Sequence, residues 1–233
     1  MPFRTAVRPS GQWQPSSMKN NTELIVLHHT KFGENSVVVH TLSRAYGRRS
    51  FLVRVSGKST MAQLLPLSLL EADITENPRA TLWTASGLTV RHPLGGIRSN
   101  LYKNTMTLFL SEVLYRVIKD GEGDERLFDW CDRSILTLEA LQTDFSNFHL
   151  VFLLGLAGAL GFSPTAADLV PFAEHHLREI TYLLESEFFQ AMLLPLTGST
   201  RNEICEEILR YLAFHTEARI DVRSLSVLRE LYS

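Results

Sequence analysis

Cysteine is scarce: Cys131 and Cys205 are the only two among 233 residues, and they lie far apart. A disulfide framework is therefore excluded, a single structural disulfide has no positive support, and the pair suits a reducing cytosol. Long apolar runs are missing as well. The most apolar stretch, Leu150 to Phe162, falls well short of the roughly 20 residues that a membrane-spanning helix needs and reads as a buried helix instead. The N-terminus has arginines but no continuous apolar segment after them, which argues against a secretory signal. Catalytic signatures are absent too, with no G-x-S-x-G, Walker-type loop, H-E-x-x-H or glycine-rich phosphate cradle. Gly155, Gly158 and Gly161 have the wrong spacing for a nucleotide motif and follow no strand. They read as close helix packing, with Gly161 as the C-terminal stop. His28-His29 and His175-His176 have no cysteine cluster beside them, and neighbours on a strand point to opposite faces, so the first pair does not chelate as a unit. An enzyme is the least favoured class, and no metal or other cofactor is expected.

A strong excess of either charge is also lacking. The net charge of −2 taken alone argues against a nucleic-acid binder, but the average hides a division. From Leu24 to Asn104 ten Lys/Arg stand against four acids, a balance of +6, whereas from Thr105 to Ser233 ten stand against twenty, a balance of −10. Asymmetry of this kind bears on partners rather than on fold, and it marks the N-terminal half as the anion-binding one. The acidic half is expected to face away from a polyanion and to carry protein contacts.

Residues 1–21, with several prolines and serines and no periodicity, read as a disordered leader, and Met18-Lys19 is a candidate translation start. Five strand candidates follow, Leu24–His29, Ser36–Leu42, Arg49–Val55, Leu65–Thr75 and Thr81–Arg91, each bounded by Gly, Pro, Asn or Ser. Pro66 suits a strand start or an edge, and Gly87 a bulge. So few short antiparallel strands cannot hide both faces as an open sheet, and a small closed barrel of the oligonucleotide-binding type solves that problem. Residues 22–95 are assigned to this barrel. Residues 96–233 are assigned to an all-helical domain, which makes the chain an α+β protein of two domains. Its helices are expected over Asn100–Lys119, from an N-cap at Asp124 to about Gln142, and over Phe148–Gly161, Glu174–Leu194, Arg201–His215 and Ser224–Leu231, with Phe148–Gly161 at the centre. No internal repeat is evident.

The stretch from Lys31 to Lys58 organises the barrel's candidate site. Two strands flank the turn Ser43-Arg44-Ala45-Tyr46-Gly47-Arg48, and Phe51, Val53 and Val55 alternate with Ser50, Leu52 and Arg54 in the period of a half-buried strand. Solvated surface charge is the ordinary explanation of such a basic run. The interleaved Tyr46, Phe51 and Trp83 favour nucleic acid, because aromatic stacking beside a cationic groove holds single strands without reading sequence. Phe51 belongs to the core by its alternation, which leaves Tyr46 as the stacking candidate. The site residues expected are Lys31, Arg44, Tyr46, Arg48, Arg49, Arg54 and Lys58. An adaptor whose barrel has lost nucleic-acid binding, and an RNA-binding barrel protein, stay open on these residues alone.

Seven segments in order, Leu24–Lys31 (LIVLHHTK), Gly33–Ser36, Ser43–Arg49 (SRAYGRR), Leu65–Glu71 (LPLSLLE), Phe109–Val117 (FLSEVLYRV), Asn147–Phe162 (NFHLVFLLGLAGALGF) and Arg223–Leu228, resemble the RecO family of bacterial DNA-repair proteins. The resemblance implies an oligonucleotide-binding barrel followed by a helical domain. It also implies binding of single- and double-stranded DNA, strand annealing and pairing with RecR, and help for RecA in replacing the single-stranded-DNA-binding protein. A cytoplasmic, nucleoid-associated location follows from the same resemblance, with no membrane contact. Arg44, Arg48 and Arg49 match the family's basic turn, and Lys31 and Lys58 match more loosely. Many relatives insert a four-cysteine zinc module after the stretch that matches Gly161–Pro164. Ser163 to Leu184 here contains no cysteine, which resembles a zinc-free branch.

Overall fold

A computed structural model describes residues 19–77, 79–80, 82–121, 123–173 and 175–232. The first half holds β1 (Lys19–Lys31), β2 (Ser36–Ser43), β3 (Gly47–Arg54), the short helix α1 (Lys58–Gln63), β4 (Leu69–Thr75) and β5 (Trp83–His92). These strands close in the order β1-β2-β3-β5-β4, with β4 returning to β1. Closure depends on the length of β1. Its first part, Lys19–Ile25, pairs with β4, and its second part, Leu24–Lys31, pairs with β2, with the register slipping between Val26 and His28. A slip of this kind bends a strand and lets it serve two neighbours. The remaining joint is short and parallel, Phe51–Val53 against Trp83–Ala85.

Period two explains the barrel's interior. Leu24 and Val26 from β1, Val37 and Val39 from β2, Phe51 and Val53 from β3, and Leu70, Ala72 and Ile74 from β4 are all buried there, with Leu64 beyond α1 among them. The opposite face of β1 is buried as well. Ile25 and Leu27, with Leu42, Leu67 and Leu69, pack into the same cluster as Phe109, Val113 and Phe128 of the helices. This is why the sequence Leu24-Ile25-Val26-Leu27 is apolar without alternation: the strand is covered on both sides.

The helical half comprises α2 (Gly95–Arg98), α3 (Leu101–Val117), α4 (Glu125–Ala140), α5 (Phe148–Ala159), α6 (Ala166–Leu169), α7 (Leu177–Glu185), α8 (Phe188–Leu193), α9 (Gly198–Thr216) and α10 (Ser224–Tyr232). As expected, α5 lies at the centre, against α4, α7, α8 and α9, and Asp124 caps α4 by accepting from the backbone N–H groups of Arg126 and Leu127. Gly155 allows α4 to approach, since a Cβ there would stand 2.9 Å from the Trp130 ring. Among the described residues no helix is long and apolar enough to cross a membrane. Both cysteines are buried and free.

Three sequence expectations need correction. The first strand starts at Lys19, not Leu24, so residues 19–21 of the expected leader are strand. Their side chains are exposed, and they are held by the ladder to Asp73–Thr75 and by the Asn20 and Asn21 amides donating to Glu76 and Asp73. Hydrophobic periodicity cannot register a strand that buries nothing. The rest of that leader, Met18 included, lies outside the described residues. The fourth strand starts at Leu69, not Leu65. Pro66 offers no N–H, and Leu67 takes φ 57° in a turn tied to β1 through Val26. The helix expected over Glu174–Leu194 is two helices, α7 and α8, because Ser186 and Glu187 are extended. The break turns Phe188 onto Phe148, ring centroids 6.4 Å apart, while Ile180 and Leu183 stay in the core. In Ser163–Leu184, Thr165 and Asp168 form a capping box on α6, and Phe172 packs edge-on against Tyr211. The residues present do not fit a four-cysteine zinc site.

Candidate nucleic-acid interface

The seven expected site residues fall into two groups at opposite ends of the β2–β3 hairpin. Ser43 pairs with Gly47 at the turn, which places Arg44, Tyr46, Arg48 and Arg49 there. At the far end Ser36 pairs with Arg54, and Lys31 of β1 pairs with neighbouring Val37. Lys58 opens α1 just beyond. At a rise of about 3.3 Å per residue, Arg49 and Arg54 are roughly 16 Å apart along the strand.

At the turn end, the arginines sort by partner. The Arg44 guanidinium donates to Glu23 at 2.6 Å and to Asp129 at 2.7 Å, and lies 4.5 Å from the centroid of the Phe128 ring. Arg48 donates to Asp120 at 2.8 Å and to the Tyr115 carbonyl at 2.6 Å, with its guanidinium over the Tyr115 ring. Arg91, from β5, bridges Glu23 at 2.7 Å and Asp132 at 2.5 Å. The acids Asp120, Asp129 and Asp132 belong to the helical half, so part of that half's negative charge faces the barrel and neutralises arginines there. The fit is close: a Cβ on Gly123 would come within 2.5 Å of the Arg44 carbonyl oxygen. Burial pushes the Glu23 carboxyl up, but hydrogen bonds from Arg91 and Arg44 outweigh it and hold the group below the ordinary carboxylate range.

Arg49 behaves differently. It points to the side of β3 opposite Arg48, and its guanidinium lies over Trp83, 3.4 Å from the ring centroid. Tyr46 is half-buried at the barrel's mouth, its hydroxyl donating to Glu76 at 2.7 Å and its ring meeting Trp83 nearly edge-on at 85°. Burial and the Glu76 hydrogen bond raise its phenol above the ordinary range. An open hollow of about 870 Å³ lies alongside, lined by Tyr46, Arg48, Arg49, Ser50, Leu82 and Asp120 among others. At the far end Lys31, Arg54 and Lys58 are exposed, as is Phe32 beside Lys31. The sequence signal for Phe32, an aromatic next to a turn glycine, was present but had no periodicity to single it out. Among the described residues, no carboxylate lies within ion-pair distance of Lys31, Arg49, Arg54 or Lys58.

Beside Arg48 the barrel meets α3 through histidines. His28 and His40 stack with ring centroids 5.8 Å apart, both pack on Tyr115, and His40 Nδ1 shares a 2.7 Å hydrogen bond with Ser50. Burial, then the charges of His29 and Arg116 against that of Glu112, lowers His28; burial, then His28 and Arg48 against Asp120, lowers His40. Both therefore take up protons more readily in the unfolded chain. Below their ordinary value of 6.5, folded stability should fall with pH until the lowered native values are passed. Melting temperatures at about pH 7.5 and about pH 5.5 check this. The drop should be smaller for His28→Gln than for the native chain, and an equal drop would remove the histidines from the account.

Two family models match this chain. One is described as the N-terminal part of recombination protein O and covers residues 18–93; the other is described as its C-terminal part and covers residues 98–170. The DNA repair protein RecO of Bacteroides fragilis is 36% identical over 155 residues, covering 65% of this chain and 64% of the relative. In that match the chain spans less than two thirds of the relative's length. The proteins of the same name from Phocaeicola vulgatus and Flavobacterium johnsoniae are 29% and 26% identical, each over 93% of this chain and 100% of the relative.

Proposed function

This chain belongs to the RecO family of DNA repair proteins, and on that footing we propose that it is a DNA-binding mediator of recombination that performs no catalytic step of its own. It binds single- and double-stranded DNA and promotes annealing of complementary strands. With RecR, it helps RecA onto strands covered by the single-stranded-DNA-binding protein. The observation that carries this reading is the set of cations left without acids. Acids largely of the helical half neutralise Arg44, Arg48 and Arg91, whereas among the described residues none pairs with Lys31, Arg49, Arg54 or Lys58, whose charge is left for an outside anion. Phosphates that bind there release their counterions, and the aromatics at both ends of the hairpin offer faces to unstacked bases.

With four phosphates neutralised, log K against log[salt] for a single strand should slope at about −3. In Arg49→Glu/Arg54→Glu/Lys58→Glu the slope should flatten to about −1, with a large loss of affinity. Arg44→Gln, by contrast, should leave the slope unchanged while lowering the melting temperature, because that guanidinium serves the junction between the two halves. A folded triple variant with native affinity and slope would sink the reading. Binding to RecR without binding to any oligonucleotide would favour the adaptor instead.

A further inference from the structure

We infer that Arg49, seated over Trp83, is a stacking platform for a nucleobase of a single strand, an inference that rests on the DNA-binding reading above. Three arginines around the turn each lie over an aromatic ring: Arg44 on Phe128, Arg48 on Tyr115 and Arg49 on Trp83. The first two are fixed by carboxylates as well. Among the described residues Arg49 has no acid within ion-pair distance, yet it makes the closest approach of the three, 3.4 Å from guanidinium carbon to ring centroid. Among the described residues, what it rests on is the face of the indole and not an anion.

The indole beneath it is firmly seated. Trp83 pairs with Phe51 across the parallel joint, and its ring packs against the barrel core and the edge of Tyr46 at 5.3 Å. Arg49 lines the open hollow and Trp83 does not, so a ligand there meets the guanidinium before the indole. A guanidinium is planar, delocalised and weakly hydrated, and one face resting on an aromatic leaves the other for a second flat π system. Nucleobases stack on such planes when they are unpaired, whereas bases inside a duplex have both faces covered. Leu82 supplies an apolar flank, and the carboxylate of Asp120 in the wall is already paired with Arg48. The hollow thus suits a base against the guanidinium plane, while the Arg49 charge counts toward the phosphates together with the cations farther along the hairpin.

The test is equilibrium anisotropy on the full chain with a labelled oligothymidylate and an abasic oligomer of equal length. Arg49→Lys keeps the charge and removes the plane. It should weaken oligothymidylate binding about fivefold or more and abasic binding less than about twofold, with the salt slope unchanged. Trp83→Leu should show the same selectivity. In the native chain, which needs no substitution, oligothymidylate should bind at least about fivefold more tightly than the abasic strand and alone should quench indole emission. Equal losses on the two strands, or no loss on either, overturn the platform and leave the DNA-binding reading standing. Failure of the native chain to bind either oligomer overturns both.

Discussion

Phe128→Ala should lower the stability of the folded chain by about 4 kcal/mol and its melting temperature by roughly 12 °C. Phe128 sits on α4 with no exposed surface, inside the cluster that joins the outer face of the barrel to the helices. Its ring also supports the Arg44 guanidinium. Truncation removes transfer energy and leaves a cavity, and the surroundings cannot collapse freely, because Gly123 is pressed against the turn on one side and α4 is capped at Asp124 on the other. The loss should exceed the sum expected from packing alone by the cation–π term. A double-mutant cycle with Arg44→Ala isolates that term, with an expected coupling of about 0.5–1 kcal/mol. Chemical denaturation at neutral pH measures all four corners. A coupling near zero would mean that Arg44 is held by Glu23 and Asp129 alone.

Arg91→Ala should cost about 3 kcal/mol, or roughly 9 °C in melting temperature. Arg91 uses separate nitrogens for Glu23 and Asp132, and its side chain is only 12% exposed, so truncation takes the ion-pair partner from the largely covered Asp132 and leaves Glu23 with Arg44 alone. Arg91→Lys should restore less than half of the loss, since one ammonium cannot reproduce the two-pronged geometry. The deficit should depend on pH with a definite sign. Glu23 has its native pKa lowered by Arg91 and Arg44. Its contribution is therefore complete above the ordinary carboxylate value and is lost as pH falls through the lowered one. The gap between native and variant chains should accordingly be widest near neutrality and should narrow below about pH 4.5, where Glu23 takes up a proton more readily in the variant than in the native chain. A gap that stays constant from pH 7 to pH 4 would place the contribution of Arg91 in packing rather than in charge.

Much of the fold can be read from residues in order because its causes are local. The alternation Phe51–Val53 against Leu52–Arg54 and the change of period after Pro93 are local patterns, as is the capping aspartate at position 124. Each has its counterpart in β3, in the start of the helical half and in the cap of α4. Two of the misreadings have a different origin. Lys19–Asn21 form strand through a ladder to residues more than fifty positions away. The break between α7 and α8 answers to Phe148 and Asn147, the latter donating to the carbonyls of Ala191 and Leu194.

The site divides in the same way. The sequence by itself determined that the barrel half is basic, that the basic residues cluster on one hairpin with aromatics among them, and that the ordered motifs are those of RecO. Which of those cations remain available was decided only by tertiary structure. Arg44, Arg48 and Arg49 stand within six positions of one another and look equivalent in the chain. Their fates are set by Asp129 and Asp120, carried from the acidic half onto two of them, and by Trp83, carried beneath the third. A tally of charge along the chain counts charges but not distances, and the interaction between two charges depends on the distance that folding sets.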